Sequence, residues 1–311
     1  MEASRGASRS IRLKEFSPGL VRPTRPEDAY LAGTDGSLDQ YDTVLRADNN
    51  GFLITGNFLS GQRKKIIILG DSFVESYWAP GEQDRWVSVV ERYLDTNCEN
   101  KFEVLNGGYS GATSLHLALS IPSKHRAFFA ETAGVILFVP NNDSVVSGLE
   151  HTYWTKDEYW SPLTPFDHSG NLPSSSFPAD LDARANWSLM LNYLKTYGIP
   201  TLVVSTPYRT GHWGEDKFIS DSFPDEESFE GWKTSRSKAQ HIAFEVAKEY
   251  GVRTMHTALF DWPERGTSPY FYDQLHLNTQ GQHFFGERFA RALLDMRFWE
   301  EEPTPLTSPL K

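Results

Sequence analysis

IIILGDSFVES, residues 66–76, opens as a run of isoleucine and leucine and breaks at Gly70 into small and polar residues. An unbroken apolar run bounded by glycine fits a strand buried on both faces. The strand ends by placing a serine beside an aspartate. One reading is a flexible Gly-Asp-Ser turn. The other is that Ser72 is a nucleophile displayed at the carboxyl edge of a parallel sheet, where ligands bind in open α/β folds.

Three similar runs follow: FEVLNGG (Phe102–Gly108), GVILFVP (Gly134–Pro140) and TLVVSTP (Thr201–Pro207), with a weaker one at Val252–Thr257. Helical patterns separate them. DRWVSVVERYLDT (Asp84–Thr96) sets Trp86, Val89, Val90 and Tyr93 on one face, and Asp180–Gly198 and Lys238–Gly251 each close on a glycine. The last helix is expected over Thr279–Phe298. Strand–helix alternation implies right-handed crossovers. The expected fold is therefore a three-layer α/β/α sandwich around a mostly parallel five-stranded sheet, flavodoxin-like, over residues 64–300. Residues 1–63 read as an extension wrapping this domain, and 301–311 as a flexible tail. Two long loops, near 143–179 and 208–231, follow strands and are expected to act as lids. Their aromatic residues Trp154, Trp160, Tyr208 and Trp213 are candidate substrate contacts.

A formal net charge of −11 and the absence of a basic stripe argue against nucleic acid or anionic lipid as a partner. Cys98 is the single cysteine, which excludes an intrachain disulfide and a thiolate metal cluster. No residues are assigned to a metal, and no cofactor is expected. No apolar run reaches the roughly 20 residues that span a bilayer, and the start of the chain lacks the apolar core of a signal peptide. A cytoplasmic location is the simplest expectation.

A serine hydroxyl needs a base, and the base needs an oriented acid. FYDQLHLNTQGQ (Phe271–Gln282) supplies both, with Asp273 three residues before His276. In a tight turn that spacing brings a carboxylate to one imidazole nitrogen and leaves the other for Ser72. An oxyanion also needs donors. Gly111, in LNGGYSGATS, lies where the chain turns into a helix. Asn142, in VPNND, follows the third strand and carries a side-chain amide, and Ser72 has its own N–H. GGYSG lacks the lysine and spacing of a phosphate loop. His151 and His212 read as bystanders.

The ordered series Gly70-Asp71-Ser72, Gly111, Asn142 and Asp273-x-x-His276 resembles the SGNH (GDSL) hydrolase superfamily, over about Lys64 to the last helix. The resemblance implies Ser72 as nucleophile, His276 as base, Asp273 as its orienter, and an oxyanion hole from the Ser72 amide, Gly111 and Asn142. Two positions depart from the family pattern. Pro140 stands where a glycine usually precedes the asparagine block, which leaves Asn141 as the alternative donor, and Leu277 replaces a common proline. The resemblance implies hydrolysis of a short acyl ester, such as an acetyl ester, and the aromatic loops suit a carbohydrate or polar small molecule as the alcohol better than a lipid. An O-acyltransferase using the same residues is the alternative. A non-catalytic binding module would predict loss of a triad residue, and all three are present.

Overall fold

The computed structural model describes residues 10–38, 40–56, 63–99, 101–155, 157–164, 178–263 and 266–300. The tail 301–311 and residues 165–177 of the first long loop lie outside the described residues. Five strands form one sheet: β1 (Lys64–Gly70), β2 (Phe102–Gly108), β3 (Thr132–Phe138), β4 (Thr201–Val204) and β5 (Arg253–Met255). Their order is β2-β1-β3-β4-β5 and every pairing is parallel. The sheet is wholly parallel rather than mostly so.

The alternation of β1 explains the layers. Ile66 and Ile68 face one side, where they meet helix α2 (Trp86–Asn97) and the final helix α8 (Thr279–Met296) through Trp86, Val90, Phe285 and Phe289. Ile67 and Leu69 face the other. There they pack with Leu117 of α3 (Ser114–Ser123), Trp187 and Leu191 of α5 (Ala179–Thr196), and Val246 of α7 (Glu226–Glu249). Each large apolar side chain so buried contributes about 1.5–3 kcal/mol. Two short helices sit at strand ends, α1 (Ser72–Glu75) after β1 and α4 (Asn142–Val146) after β3. In this strand order the connections from β1 and β3 depart to opposite faces, which opens a crevice between them.

The region 208–231 differs from the expected loop. It holds helix α6 (Lys217–Ser222), and α7 starts at Glu226 rather than near Lys238. The cause is capping: Asp216 accepts from Phe218 N and Ile219 N, and Asp225 accepts from Ser228 N. The early turns of α7, EESFEGWKTSRS, carry few apolar residues, so periodicity did not mark them. The first long loop contains α4, a 3-10 turn at Thr152–Trp154 and a short strand at Leu163–Thr164.

Before β1 the chain forms an antiparallel pair, Val21–Thr24 with Thr43–Arg46, and a one-turn helix at Asp28–Leu31. Ser10–Ile11 pairs antiparallel with Leu163–Thr164. Asp35 N donates to Tyr272 O at 2.8 Å, and Asn278 Nδ2 donates to Ser37 Oγ at 3.2 Å. Among the described residues no helix is long and apolar enough to cross a membrane.

Candidate active site

Ser72 is the first residue of α1, directly after β1. Asp71 caps that helix, accepting from Phe73 N at 3.0 Å, and also accepts from Asn141 N at 2.6 Å. Burial raises its carboxyl above the ordinary range, against these hydrogen bonds. Asp71 is thus a strut that joins the ends of β1 and β3. The close turn has a second requirement: a Cβ on Gly108 would lie 2.2 Å from Glu75 N, so β2 can pass α1 only with glycine there.

Residues 271–277 form a tight reversal closed by the Phe271–Leu277 bridge and by Tyr272 N donating to His276 O at 3.0 Å. Within it, Asp273 Oδ1 accepts from Leu275 N and His276 N, each at 2.7 Å. That leaves Oδ2 for His276 Nδ1 at 2.7 Å, while His276 Nε2 lies 2.8 Å from Ser72 Oγ. Burial pulls the imidazole down, but the Asp273 charge and hydrogen bond outweigh it and leave its pKa raised. Asp273 is pushed up by burial and drawn down further by His276, with a net lowering. The pair therefore favours a proton on Nδ1, and Nε2 is free to accept one from Ser72.

Three candidate donors share one pocket. Ser72, Gly111 and Asn142 line a cleft of about 360 Å³ together with His276. Gly111 has φ +75°, a conformation that favours glycine. Among the described residues neither Gly111 N–H nor Ser72 N–H has a protein acceptor. Asn142 Nδ2 donates to Ala112 O at 2.9 Å and lies 3.4 Å from Asp71 Oδ2, a contact long enough to be exchanged for a better acceptor. Asn141 is buried away from the cleft, its N–H spent on Asp71. Despite Pro140, it is the second asparagine that reaches the pocket.

The walls are aromatic, but they are not the rings expected from the long loops. The cleft is lined by Tyr30, Tyr77, Trp78, Tyr159 and Tyr272. Trp154 and Trp213 are outside it, 42% and 37% exposed. Trp160 packs against the cluster of Leu115, Val146, Tyr153, Ala183 and Ile242 and meets Tyr159 edge-on, while Tyr208 meets Trp232 of α7 edge-on. Tyr272 stacks on His276 with centroids 5.7 Å apart, and its hydroxyl is 3.3 Å from that of Tyr30. Tyr30 is pushed up to about 12, first by burial and then by the Asp273 charge. Tyr77-Trp78 directly follows the left-handed Ser76 at the end of α1, a local signal that places both rings beside Ser72.

No family profile and no curated protein sequence matches the chain. Among solved structures it is similar to an acetyl xylan esterase at 18% identity, covering 74% of this chain and 99% of that one, with a TM-score of 0.49. An acetylxylan esterase from Geobacillus stearothermophilus shows 15% identity over 79% of this chain and 98% of its own, at 0.48. A lipase/acylhydrolase from Enterococcus faecalis shows 15% identity over 74% and 95%, also at 0.48.

Proposed function

We propose that the chain is a serine esterase of the SGNH type, with residues 64–300 as its hydrolase domain and residues 1–63 as an extension that completes the cleft. The observation that carries this reading is the unbroken hydrogen-bond series from Ser72 Oγ through His276 to Asp273, beside two backbone N–H groups without acceptors among the described residues. Ser72 Oγ attacks the ester carbonyl as its proton passes to His276 Nε2. The carbonyl oxygen becomes an oxyanion, held by Ser72 N–H, Gly111 N–H and the Asn142 amide. Collapse breaks the bond to the alcohol, which leaves with the proton from His276. Water then gives a proton to His276 as its oxygen attacks the acyl carbonyl; the acyl–Oγ bond breaks, His276 returns the proton to Ser72 Oγ, and the acid is released. Asp273 holds the imidazole and stabilises its charged form without taking the proton.

A cleft of this size suits a short acyl group such as acetyl. Rings of Tyr77, Trp78 and Tyr30 offer flat apolar faces with polar tips, which suit a carbohydrate or another polar alcohol. Incubation with a fluorophosphonate followed by peptide mass spectrometry tests the reading: the adduct is expected on Ser72. A labelled peptide elsewhere, or none, rejects it. Product analysis with an acetyl donor, with and without a sugar acceptor, then separates hydrolysis from acyl transfer to a hydroxyl.

A further inference from the structure

Lys14 is a lysine with only 7% of its surface exposed, on a segment far from the sheet in sequence. The segment is held in place by its neighbours: Arg12 N donates to Pro162 O at 2.6 Å, and the Arg12 guanidinium donates to Glu158 O at 2.9 Å. Lys14 Nζ lies 4.0 Å from the ring centroid of Tyr159 and 5.8 Å from that of Tyr109. A Cβ on Gly111 would sit 2.8 Å from Nζ and 2.6 Å from Tyr159 Oη. The ammonium and the phenol therefore both abut Gly111, which lines the cleft and whose N–H has no acceptor among the described residues. Among the described residues no carboxylate forms an ion pair with Lys14. A buried cation without one is a cost to stability.

Building on the esterase reading, we propose that Lys14 is an electrostatic positioning residue for the oxyanion: its charge, stacked on Tyr159 behind the Ser110–Gly111 turn, reinforces the potential that the Gly111 N–H presents to the cleft. The need for it is visible in the surroundings. Asp71, Glu75 and Asp273 all lie beneath Ser72 and His276, and any of them that is ionised opposes a developing negative charge. Glu75 accepts from Ser110 N, one residue before Gly111. Lys14 sets a positive charge on the same turn. Preorganised charge of this kind acts where charge develops in the transition state and has little effect on the bound ester.

The groups facing Lys14 are Arg12 on its own segment, Glu75 on α1, Asp157 on the loop, His116 on α3, and the rings of Tyr109 and Tyr159. Burial, with help from Arg12, lowers Lys14 to about 8, against the raising pull of Glu75 and Asp157. His116 is held neutral by burial, at about 3, and burial raises Tyr159. Lys14 accordingly loses its charge just above neutrality, and the oxyanion loses support there.

The test measures kcat and KM for p-nitrophenyl acetate between about pH 5.5 and 9.5, with Tm, for the wild type, Lys14→Met and Lys14→Arg. In the wild type kcat is expected to fall on an alkaline limb near pH 8. Lys14→Met should lower kcat at neutral pH about tenfold, less than the loss of a direct oxyanion donor, with KM unchanged, Tm not lowered and the alkaline limb gone. Lys14→Arg should keep the charge and hold kcat level through the limb. A wild type with no alkaline limb overturns the proposal. So does a Lys14→Met variant that keeps the limb, whether its kcat is normal or is reduced along with Tm. Fluorophosphonate labelling of wild-type Ser72, run in parallel, separates the two claims: without it the esterase reading fails, and with it only the role of Lys14 is at stake.

Discussion

Two clefts flank the loop 271–276, and in the larger the central arginine is already paired. That cleft holds about 960 Å³ around Arg209, whose guanidinium forks onto Asp216 at 2.7 and 3.0 Å and reaches Asp35 at 2.6 Å and Phe271 O at 2.9 Å. The Arg209 backbone N–H donates to Gln274 O at 2.9 Å. Each guanidinium nitrogen of Arg209 has an acceptor, so this residue works as a strut behind the Asp273–His276 turn. The cleft at Ser72 has well under half that volume, yet its N–H groups at Ser72 and Gly111 are uncommitted among the described residues. Size marks where water can enter. Unspent hydrogen-bonding capacity marks where a reacting group can be held.

The contrast breaks most sharply at Ser72. Ser72→Ala should cost on the order of 10⁴-fold or more in kcat on an aryl acetate, with Tm near wild type. Retention of more than a few per cent of activity would move the nucleophile elsewhere. Next in size, Asp273→Asn should lower kcat by about 10³–10⁴-fold, because the imidazole loses its orienting acceptor. In the wild type, kcat should rise with pH as His276 deprotonates, at an apparent pKa above the ordinary 6.5, the direction set by Asp273. Stability follows with opposite senses on the two partners. The raised His276 contributes below its unfolded value, and that contribution fades as pH rises through the folded one. The lowered Asp273 contributes above its unfolded value and stops doing so as pH falls through the folded one. An acid limb that persists unchanged in His276→Gln would remove His276 from the site.

Smaller again, Asn142→Ala should reduce kcat about 10²–10³-fold with little change in KM. Asn141→Ala keeps the backbone N–H that Asp71 uses, and should cost much less. The reverse ranking would show that the asparagine block is displaced by one residue. The smallest effect on chemistry is expected across the divide, at Arg209. Arg209→Met leaves Asp35 and Asp216 facing each other without a cation, and should cost about 3–5 kcal/mol of stability. Below its lowered Tm the variant should still take fluorophosphonate at Ser72. Loss of labelling at unchanged Tm would reverse the roles assigned to the two clefts.

The parts legible in the sequence are those written locally. Each buried strand announces itself as an apolar run, and Ser72, Gly111 and Asn142 follow strand ends within a few residues. The Asp-x-x-His spacing was readable because the two residues belong to a single turn. What escaped was set at long range. Tyr30 reaches the cleft only because Asp35 and Ser37 dock on the 270s turn and its own hydroxyl meets Tyr272. Tyr159 is placed by the pairing of residues 10–11 with 163–164. Conversely, Trp160 and Tyr208 follow strands at the same edge as Ser72 yet turn into packing against the Leu115–Val146 cluster and Trp232. Proximity to a strand end puts a backbone near the site, and only tertiary packing decides where a ring points.

The contact between Ser72 and His276 joins residues 204 positions apart, and that between Tyr30 and Tyr272 spans 242. On a translating ribosome this is a matter of timing. Residues 64–70 and the serine leave the exit tunnel well before the histidine is made, and at ordinary elongation rates the gap is roughly 10–40 s. On the proposed reading the serine lacks its base throughout that interval, and the nascent chain would carry an unarmed nucleophile. On that reading, competence would arrive only once the 271–277 turn is made and α8 packs on the sheet, so a truncated product released early by the ribosome is expected to be inert rather than promiscuous.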